Sequence, residues 1–137
     1  RSTLFPYTTL FRSRSLKHLD EDNAKRHKIA AKYYQSIDNK CVTLPKQLPD
    51  ENNVYHIFPI FTEKRDLLQK YLADNGIQTL IHYPIPPHKQ ECYQDWNSSS
   101  LPITEEIHNQ ELSIPISQVM TDEEVGFVIK TINSFRP

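Results

Sequence analysis

Candidate functional residues are concentrated in the stretch Gly76-Ile-Gln-Thr-Leu-Ile-His-Tyr-Pro-Ile-Pro-Pro-His-Lys-Gln90, and the rest of the chain is expected to be its scaffold. This stretch begins with one of only two glycines in the chain. Residues 77–83 predict a strand, because β-branched and aromatic residues favour extended backbone, and Pro84 ends it. His82 and Tyr83 then stand at the end of the strand, before a stiff proline loop. They are either half-buried packing residues or groups presented to a ligand, and residue chemistry alone favours packing.

A second strand and a helix are predicted immediately before this stretch. Residues 54–61 are rich in β-branched and aromatic side chains, and Pro59 places that strand at an edge or a bulge. Thr62 is expected to cap a helix closed by Asn75-Gly76, with a buried stripe of Leu67, Leu68, Tyr71 and Leu72. The order strand, helix, strand predicts a right-handed crossover or a split β-α-β layer.

Three further elements are predicted in the outer parts of the chain. A helix from about Asp20 to Ile37 carries a stripe of Ala24, His27, Ala31 and Tyr34, and a loop follows over 38–53. A short helix is expected over 102–112, followed by a third strand over 112–116.

The last helix has the strongest local signals. Thr121 and Glu124 form a capping box, and Met120 and Val125 are placed for a hydrophobic staple. The buried stripe is expected at Val125, Val128, Ile132 and Phe135. The predicted fold class is therefore α+β, a small three-stranded sheet covered by helices.

Composition limits the partners that the chain can be expected to bind. With 137 residues and a net charge of −1, it predicts one domain without the charge excess typical of nucleic-acid or membrane-surface binding. No apolar run approaches the roughly 20 residues of a membrane span. Two cysteines do not make a disulfide framework, so a cytoplasmic location is expected.

Several kinds of site are disfavoured by the residues themselves. Phosphate-binding loops need clustered glycines, whereas Gly76 and Gly126 are far apart. A metal site at His82, His88 and Cys92 is the main alternative, but their spacing fits no usual zinc pattern. We therefore predict no metal.

The N-terminal segment shares no pattern with the rest of the chain. It reads as translated adapter sequence, so we treat residues 1–15 as a sequencing artefact without fixed structure. The predicted domain covers 16–137, and the natural protein is expected to be longer at its N-terminus.

From about Leu19 to Phe135 the sequence resembles the C-terminal domain of the DegT/DnrJ/EryC1/StrS sugar-nucleotide aminotransferases. The similarity is carried by residues 19–23, 54–58, 76–79, 82–90 and 112–116, and most specifically by the Gly-Ile, His-Tyr-Pro and Pro-His-x-Gln motifs. The resemblance implies the small domain of a fold-type I, aspartate-aminotransferase-like enzyme that uses pyridoxal 5'-phosphate. The form His-Tyr-Pro-x-Pro-Pro-His is most similar to members that aminate carbon 3 of a dTDP-linked keto-deoxyhexose.

This resemblance also implies roles for individual residues. His82 and Tyr83 would bind the nucleotide-sugar substrate, and His88 and Gln90 would shape the loop. In the family, the lysine that holds the cofactor lies in a large N-terminal domain, so this chain alone is expected to be inactive. The intact enzyme is expected to be a homodimer in sugar or surface-polysaccharide biosynthesis, with glutamate as the amino donor. The alternative is a free-standing, non-catalytic α+β module with a ligand-binding or regulatory role.

Overall fold

A computed structural model describes residues 16–47 and 53–137 of the chain. In these ranges the α-helices are α1 (Leu19–Ser36), α2 (Arg65–Asp74), α3 (Pro102–Gln110) and α4 (Asp122–Ser134). The strands are β1 (Phe58–Phe61) and β2 (Glu111–Ile114), and two short 3-10 helices span Pro87–Lys89 and Glu91–Trp96. The α+β class is confirmed, whereas the proposed artefact at 1–15 lies outside the described residues.

Within the described residues the sheet has two strands, so the prediction of three is wrong. β1 pairs antiparallel with β2, and Phe58 faces Ile114 while Phe61 faces Glu111. The predicted strand at 77–83 is reduced to one antiparallel bridge, Leu80 to Ser113. It does not continue because the next backbone donor, at His82, binds the Glu111 side chain instead of a strand.

Of the two arrangements predicted, a right-handed crossover or a split β-α-β layer, the strand and bridge pairings match the split one. β2 lies between β1 and Leu80, and both of these run antiparallel to it. On the outer edge of β1, Phe61 exchanges two backbone hydrogen bonds with Thr43. Because backbone groups alternate along a strand, Pro59 also points its nitrogen to that outer edge, where no ladder partner is needed.

Both predicted strands that form are shorter than expected. β1 begins at Phe58 rather than Val54, because Tyr55 has a φ of 48°, a left-handed conformation that interrupts an extended strand. β2 ends at Ile114 because Pro115 lacks a backbone donor.

Helix α1 forms over nearly the predicted range, but its buried face is displaced by about one residue. The buried side chains are Ile29, Ala30 and Tyr33, whereas Ala24 is exposed. Two members of the predicted stripe, His27 and Tyr34, still form T-shaped ring contacts with Tyr55. The buried face centres on Ile29 and Tyr33 because burying these larger apolar side chains removes more surface from water than burying Ala24 would.

Helix α2 begins later than predicted and ends where predicted. Its N-cap is Lys64, and Thr62 Oγ1 accepts a bond from the Lys64 amide before the helix begins. Leu68 and Leu72 are fully buried, but Leu67 is exposed, contrary to the predicted stripe. Gly76 has a φ of 77°, and the amides of Gly76 and Ile77 bind the carbonyls of Ala73 and Leu72. This is a complete Schellman C-cap.

Helix α4 confirms the capping box and the buried stripe that were predicted for it. Thr121 Oγ1 accepts from the Glu124 amide, and the Glu124 carboxylate accepts from the Thr121 amide, so both halves of the capping box are present. The four residues of its predicted stripe are buried, and Met120 packs against the same core. That core also includes Tyr33, Phe58, Ile60, Leu68, Leu72, Ile77, Leu112 and Ile114.

Hydrogen bonds tie α1 and the residues after it to the end of α4 and to the chain after β2. The Asn39 amide group donates to the carbonyls of Ile132 and Phe135, at 2.7 and 3.0 Å. The Tyr33 hydroxyl donates to the Pro115 carbonyl at 2.6 Å, and burial raises the pKa of this hydroxyl. These bonds join the N-terminal part of the described chain to its C-terminal part. Among the described helices, none combines the length and apolar character needed to cross a bilayer.

Candidate functional site

The Schellman cap at Gly76 directs the chain toward β2. Leu80 and Ser113 exchange two backbone hydrogen bonds of 2.7 and 3.1 Å. Two residues later, the His82 amide donates to Oε2 of Glu111 at 2.7 Å. The end of the predicted strand is therefore attached to β2 by one bridge and one side chain, which places the His82 ring beside this strand.

Three polar side chains meet at this point. Nδ1 of His82 lies 2.9 Å from the hydroxyl of Ser113, and that hydroxyl donates to Oε1 of Glu111 at 2.6 Å. Glu111 and Ser113 are each only 5% exposed, whereas His82 is half-buried. No Lys or Arg nitrogen in the described ranges lies within 4.0 Å of the Glu111 carboxylate. The buried carboxylate is thus stabilised by hydrogen bonds to the His82 amide and the Ser113 hydroxyl.

Sequence reasoning found His82 and missed Glu111 and Ser113. The available signal was the period of a strand, because residues two apart share one face. The predicted strand began at Leu112, which left Glu111 at the end of a helix. Starting it one residue earlier would have paired Glu111 with Ser113 on the face that meets His82.

Tyr83 is next to His82 but has a different environment. Its side chain is 66% exposed, and its ring stands edge-on to the His82 ring with centroids 5.6 Å apart. Its carbonyl accepts a hydrogen bond from Nδ1 of His108, which ties this corner to α3. The peptide bond joining His82 and Tyr83 is cis.

His88 attaches the proline loop to α3, and Gln90 makes a hydrogen bond within the loop. His88 is 2% exposed, and its Nε2 donates to Oε1 of Glu105 at 2.9 Å. Its Nδ1 is buried and has no hydrogen-bond partner in the described part of the chain. The bond from His88, followed by one from the Leu101 amide, lowers the pKa of Glu105. Gln90 donates to the Ile85 carbonyl at 3.3 Å.

The three residues considered for a metal are placed in different environments. His82 binds Ser113, His88 binds Glu105, and the exposed Cys92 lies 3.8 Å from Oε1 of Gln90. Over 16–47 and 53–137, no group of three His, Cys, Asp or Glu side chains is arranged to hold a metal ion.

A cavity of about 1210 Å³ opens beside His82. It lies between the end of α2, the 76–82 segment, the chain after β2, and α4. Its polar lining includes His56, Gln69, Gln78, Thr79, His82, Ser113, Ser117, Glu123 and Glu124. His82 lines this cavity and Tyr83 does not. The two residues predicted to bind substrate therefore lie in different environments.

The cavity does not fit pyridoxal phosphate by itself. That cofactor is attached through a lysine amine, and its phosphate calls for cationic or amide donors. No lysine or arginine is found among the described residues that line the cavity. The side chains present can bind hydroxyl and apolar groups, and they supply no covalent attachment.

Comparison with known proteins supports the family resemblance described for the sequence. The sequence pattern of the DegT/DnrJ/EryC1/StrS aminotransferase family matches residues 9–133. The chain is 47% identical over 120 residues to the dTDP-3-amino-3,6-dideoxy-alpha-D-galactopyranose transaminase of Aneurinibacillus thermoaerophilus, covering 88% of this chain and 33% of that protein. The chain therefore spans about a third of the length of this relative.

Solved structures show the same similarity. DesV of S. venezuelae, determined in complex with a ketimine intermediate, superposes with a TM-score of 0.83 at 35% identity, covering 90% of this chain and 34% of DesV. NtdA of Bacillus subtilis, determined with the cofactor PMP, superposes with a TM-score of 0.76 at 31% identity. The match covers 85% of this chain and 28% of NtdA.

Proposed function

The chain belongs to the DegT/DnrJ/EryC1/StrS aminotransferase family, and on that premise we propose that it is the C-terminal small domain of a pyridoxal-phosphate-dependent sugar transaminase. The intact enzyme moves an amino group from an amino acid, glutamate, to the ketone of a dTDP-linked deoxyhexose. Its product serves surface-polysaccharide or related sugar biosynthesis.

The observation that carries this proposal is the 47% identity to a dTDP-sugar transaminase over most of the chain. The position of His82 in the cavity wall adds a structural reason. A half-buried imidazole with one nitrogen fixed by the protein can present the other nitrogen to a ligand. The adjacent apolar lining, which includes Leu80, Ile114 and Phe127, suits the faces of a deoxy sugar.

Tyr83 is proposed as a second substrate contact from the rim of the site. Its side chain is exposed and its ring forms a T-shaped contact with the His82 ring, so its phenol can reach a group that the cavity wall does not enclose. His88 and Gln90 are proposed to shape the loop, since their bonds go to Glu105 and to the Ile85 carbonyl.

The cofactor is proposed to be held by the rest of the enzyme. Pyridoxal phosphate supplies the electron sink that allows nitrogen to be moved between amino acid and ketone. The side chains of this chain contribute the sugar-facing wall, and the chain alone is proposed to have no transaminase activity. A homodimer of the intact enzyme is part of the same proposal.

A chimera tests this proposal. This chain replaces the matching third of the Aneurinibacillus thermoaerophilus transaminase, and amination of a dTDP-linked 3-keto-deoxyhexose is measured with glutamate as donor. We expect turnover by the chimera and none by the 137-residue chain alone. A chimera that binds the cofactor and reacts with glutamate, yet aminates no dTDP-sugar, would refute the substrate class. It would leave the alternative of a non-catalytic ligand-binding or regulatory module.

A further inference from the structure

The buried side chains beneath His82 determine which of its ring nitrogens carries hydrogen. As a carboxylate, Glu111 offers only acceptors, and it receives the His82 amide at 2.7 Å and the Ser113 hydroxyl at 2.6 Å. A serine hydroxyl has one hydrogen, and here it is donated to Glu111. The Ser113 oxygen, 2.9 Å from Nδ1 of His82, can then only accept from that nitrogen. The neutral ring therefore carries its hydrogen on Nδ1.

The other ring nitrogen is left for a ligand. Nε2 of His82 has no hydrogen-bond partner in 16–47 and 53–137, and it is not among the buried unpartnered atoms of that part of the chain. Nε2 is therefore accessible, on a side chain that lines the cavity, and it carries a lone pair in the neutral ring. It accepts hydrogen bonds, as a hydroxyl-binding group does.

The charge of the cavity favours a hydroxyl over a phosphate. Its described lining contains the carboxylates of Glu123 and Glu124 and no lysine or arginine. A phosphate placed there would meet like charge without a cation to offset it. An uncharged sugar hydroxyl avoids this penalty and can donate to Nε2.

We propose that Glu111 and Ser113 are positioning residues that hold His82 with hydrogen on Nδ1, so that Nε2 accepts a hydrogen bond from a hydroxyl of the sugar. This inference rests on the proposed function for the identity of the ligand. It assigns the diphosphate of the substrate to other parts of the enzyme.

The tautomer is measured first, because this measurement does not depend on transaminase activity. The 137-residue chain, labelled with nitrogen-15 at histidine, is studied by long-range proton-nitrogen correlation at a pH where the spectrum shows neutral rings. His82→Gln identifies the signal. We expect hydrogen on Nδ1 in the unmodified chain and a shift toward hydrogen on Nε2 in Ser113→Ala. Hydrogen on Nε2 in the unmodified chain would overturn the proposal.

Kinetics of the chimera then test the consequence for the substrate. Loss of one neutral hydrogen bond predicts that Ser113→Ala raises KM for the dTDP-sugar by up to about tenfold. The rate of the reaction with glutamate alone should be unchanged. Ser113→Thr keeps a hydroxyl and should restore most of the affinity. Ser134→Ala is the control, because it removes a hydroxyl that binds the Lys130 carbonyl on the exposed end of α4.

The outcomes separate this inference from the function on which it rests. An unchanged KM in Ser113→Ala, with sugar turnover intact, would overturn the hydroxyl-acceptor role and leave the transaminase proposal standing. A chimera that aminates no dTDP-sugar in any variant would refute the transaminase proposal. Glu111→Gln gives a second check. The glutamine amide can donate to the Ser113 hydroxyl, which is then free to donate its own hydrogen to Nδ1 of His82. We expect this substitution to move the hydrogen of His82 to Nε2.

Discussion

Helix α4 and the segment from Ile77 to Ser100 are organised in opposite ways. α4 has its N-terminal signal and its apolar stripe within its own sequence, from Thr121 to Phe135. In the 77–100 segment, the important side chains are held by residues far along the chain, as His82 is by Glu111 and Ser113. Local signals therefore determine where α4 begins and which face it buries, whereas long-range hydrogen bonds place the side chains of the candidate site.

The largest effect that sharpens this comparison is expected in the core face of α4. Ile132 is fully buried, so Ile132→Ala should lower the free energy of unfolding by about 2–5 kcal/mol through lost burial and a residual cavity. Urea denaturation measures the change. Phe127→Ala is the matched control on the same helix, because Phe127 is 50% exposed. Equal losses in both variants would contradict the assigned orientation of α4.

The two glycines provide a comparison in which the same substitution has opposite signs. Gly76→Ala should destabilise by about 1–2 kcal/mol, because its φ of 77° is costly for a residue with a Cβ. Gly126→Ala, within α4, should stabilise by roughly 0.5–1 kcal/mol. Neither added Cβ meets an atom within 4 Å, so steric overlap does not confuse the result. Thermal unfolding of both variants checks the signs, and two changes of the same sign would break the argument.

A smaller effect is expected at the N-terminus of α4. Thr121→Ala removes the hydroxyl that caps the Glu124 amide and should cost about 1 kcal/mol. Urea denaturation of this variant, of Glu124→Ala and of the double variant measures their coupling. Because the two residues cap each other, the double loss should be smaller than the sum. Strict additivity would show that the capping box does not act as a unit.

The smallest effect is a pH dependence of stability at the hydrogen bond between His88, in the 77–100 segment, and Glu105 of α3. The bond from His88 lowers the pKa of Glu105 in the folded chain. A carboxylate with a lowered folded pKa adds stability above its ordinary value of 4.5, and this is lost as pH falls through the folded value. The destabilisation caused by Glu105→Gln should therefore be larger at neutral pH than in acid. Glu106→Gln is the control for removing an exposed carboxylate, and a gap that widens in acid would contradict the assignment.

The predictability of the fold follows the same division. The capping box of α4 and the left-handed Gly76 were predicted because each depends on residues within about four positions. The strand predicted at 77–83 is reduced to one bridge because the Glu111 carboxylate, rather than a strand carbonyl, accepts the hydrogen bond of the His82 amide. Leu67 and Ala24 were placed in buried stripes because periodicity gives an amphipathic face, and tertiary contacts decide its exact rotation.

Of the three side chains that meet at the candidate site, the sequence predicted His82 but not Glu111 and Ser113, which hold it. His82 was found through a motif, whereas the local sequence around Glu111 and Ser113 is ordinary. These two residues contact His82 only because Leu80 pairs with Ser113 of β2. Hydrogen bonds between residues about 30 positions apart leave no periodic signal. Sequence patterns therefore predicted His82 as a candidate site residue, and the structure shows that Glu111 and Ser113 hold it in place.

The most direct test of the central claim compares two half-reactions of the chimera carrying His82→Ala. The change in cofactor absorbance on adding glutamate reports the first, and amination of the dTDP-sugar reports the second. We predict a rate close to that of the unmodified chimera for glutamate and a clear loss, about tenfold or more, for the sugar. Ile85→Ala, at an exposed neighbouring position, is the control. Equal losses in both half-reactions would contradict a sugar-facing role for His82.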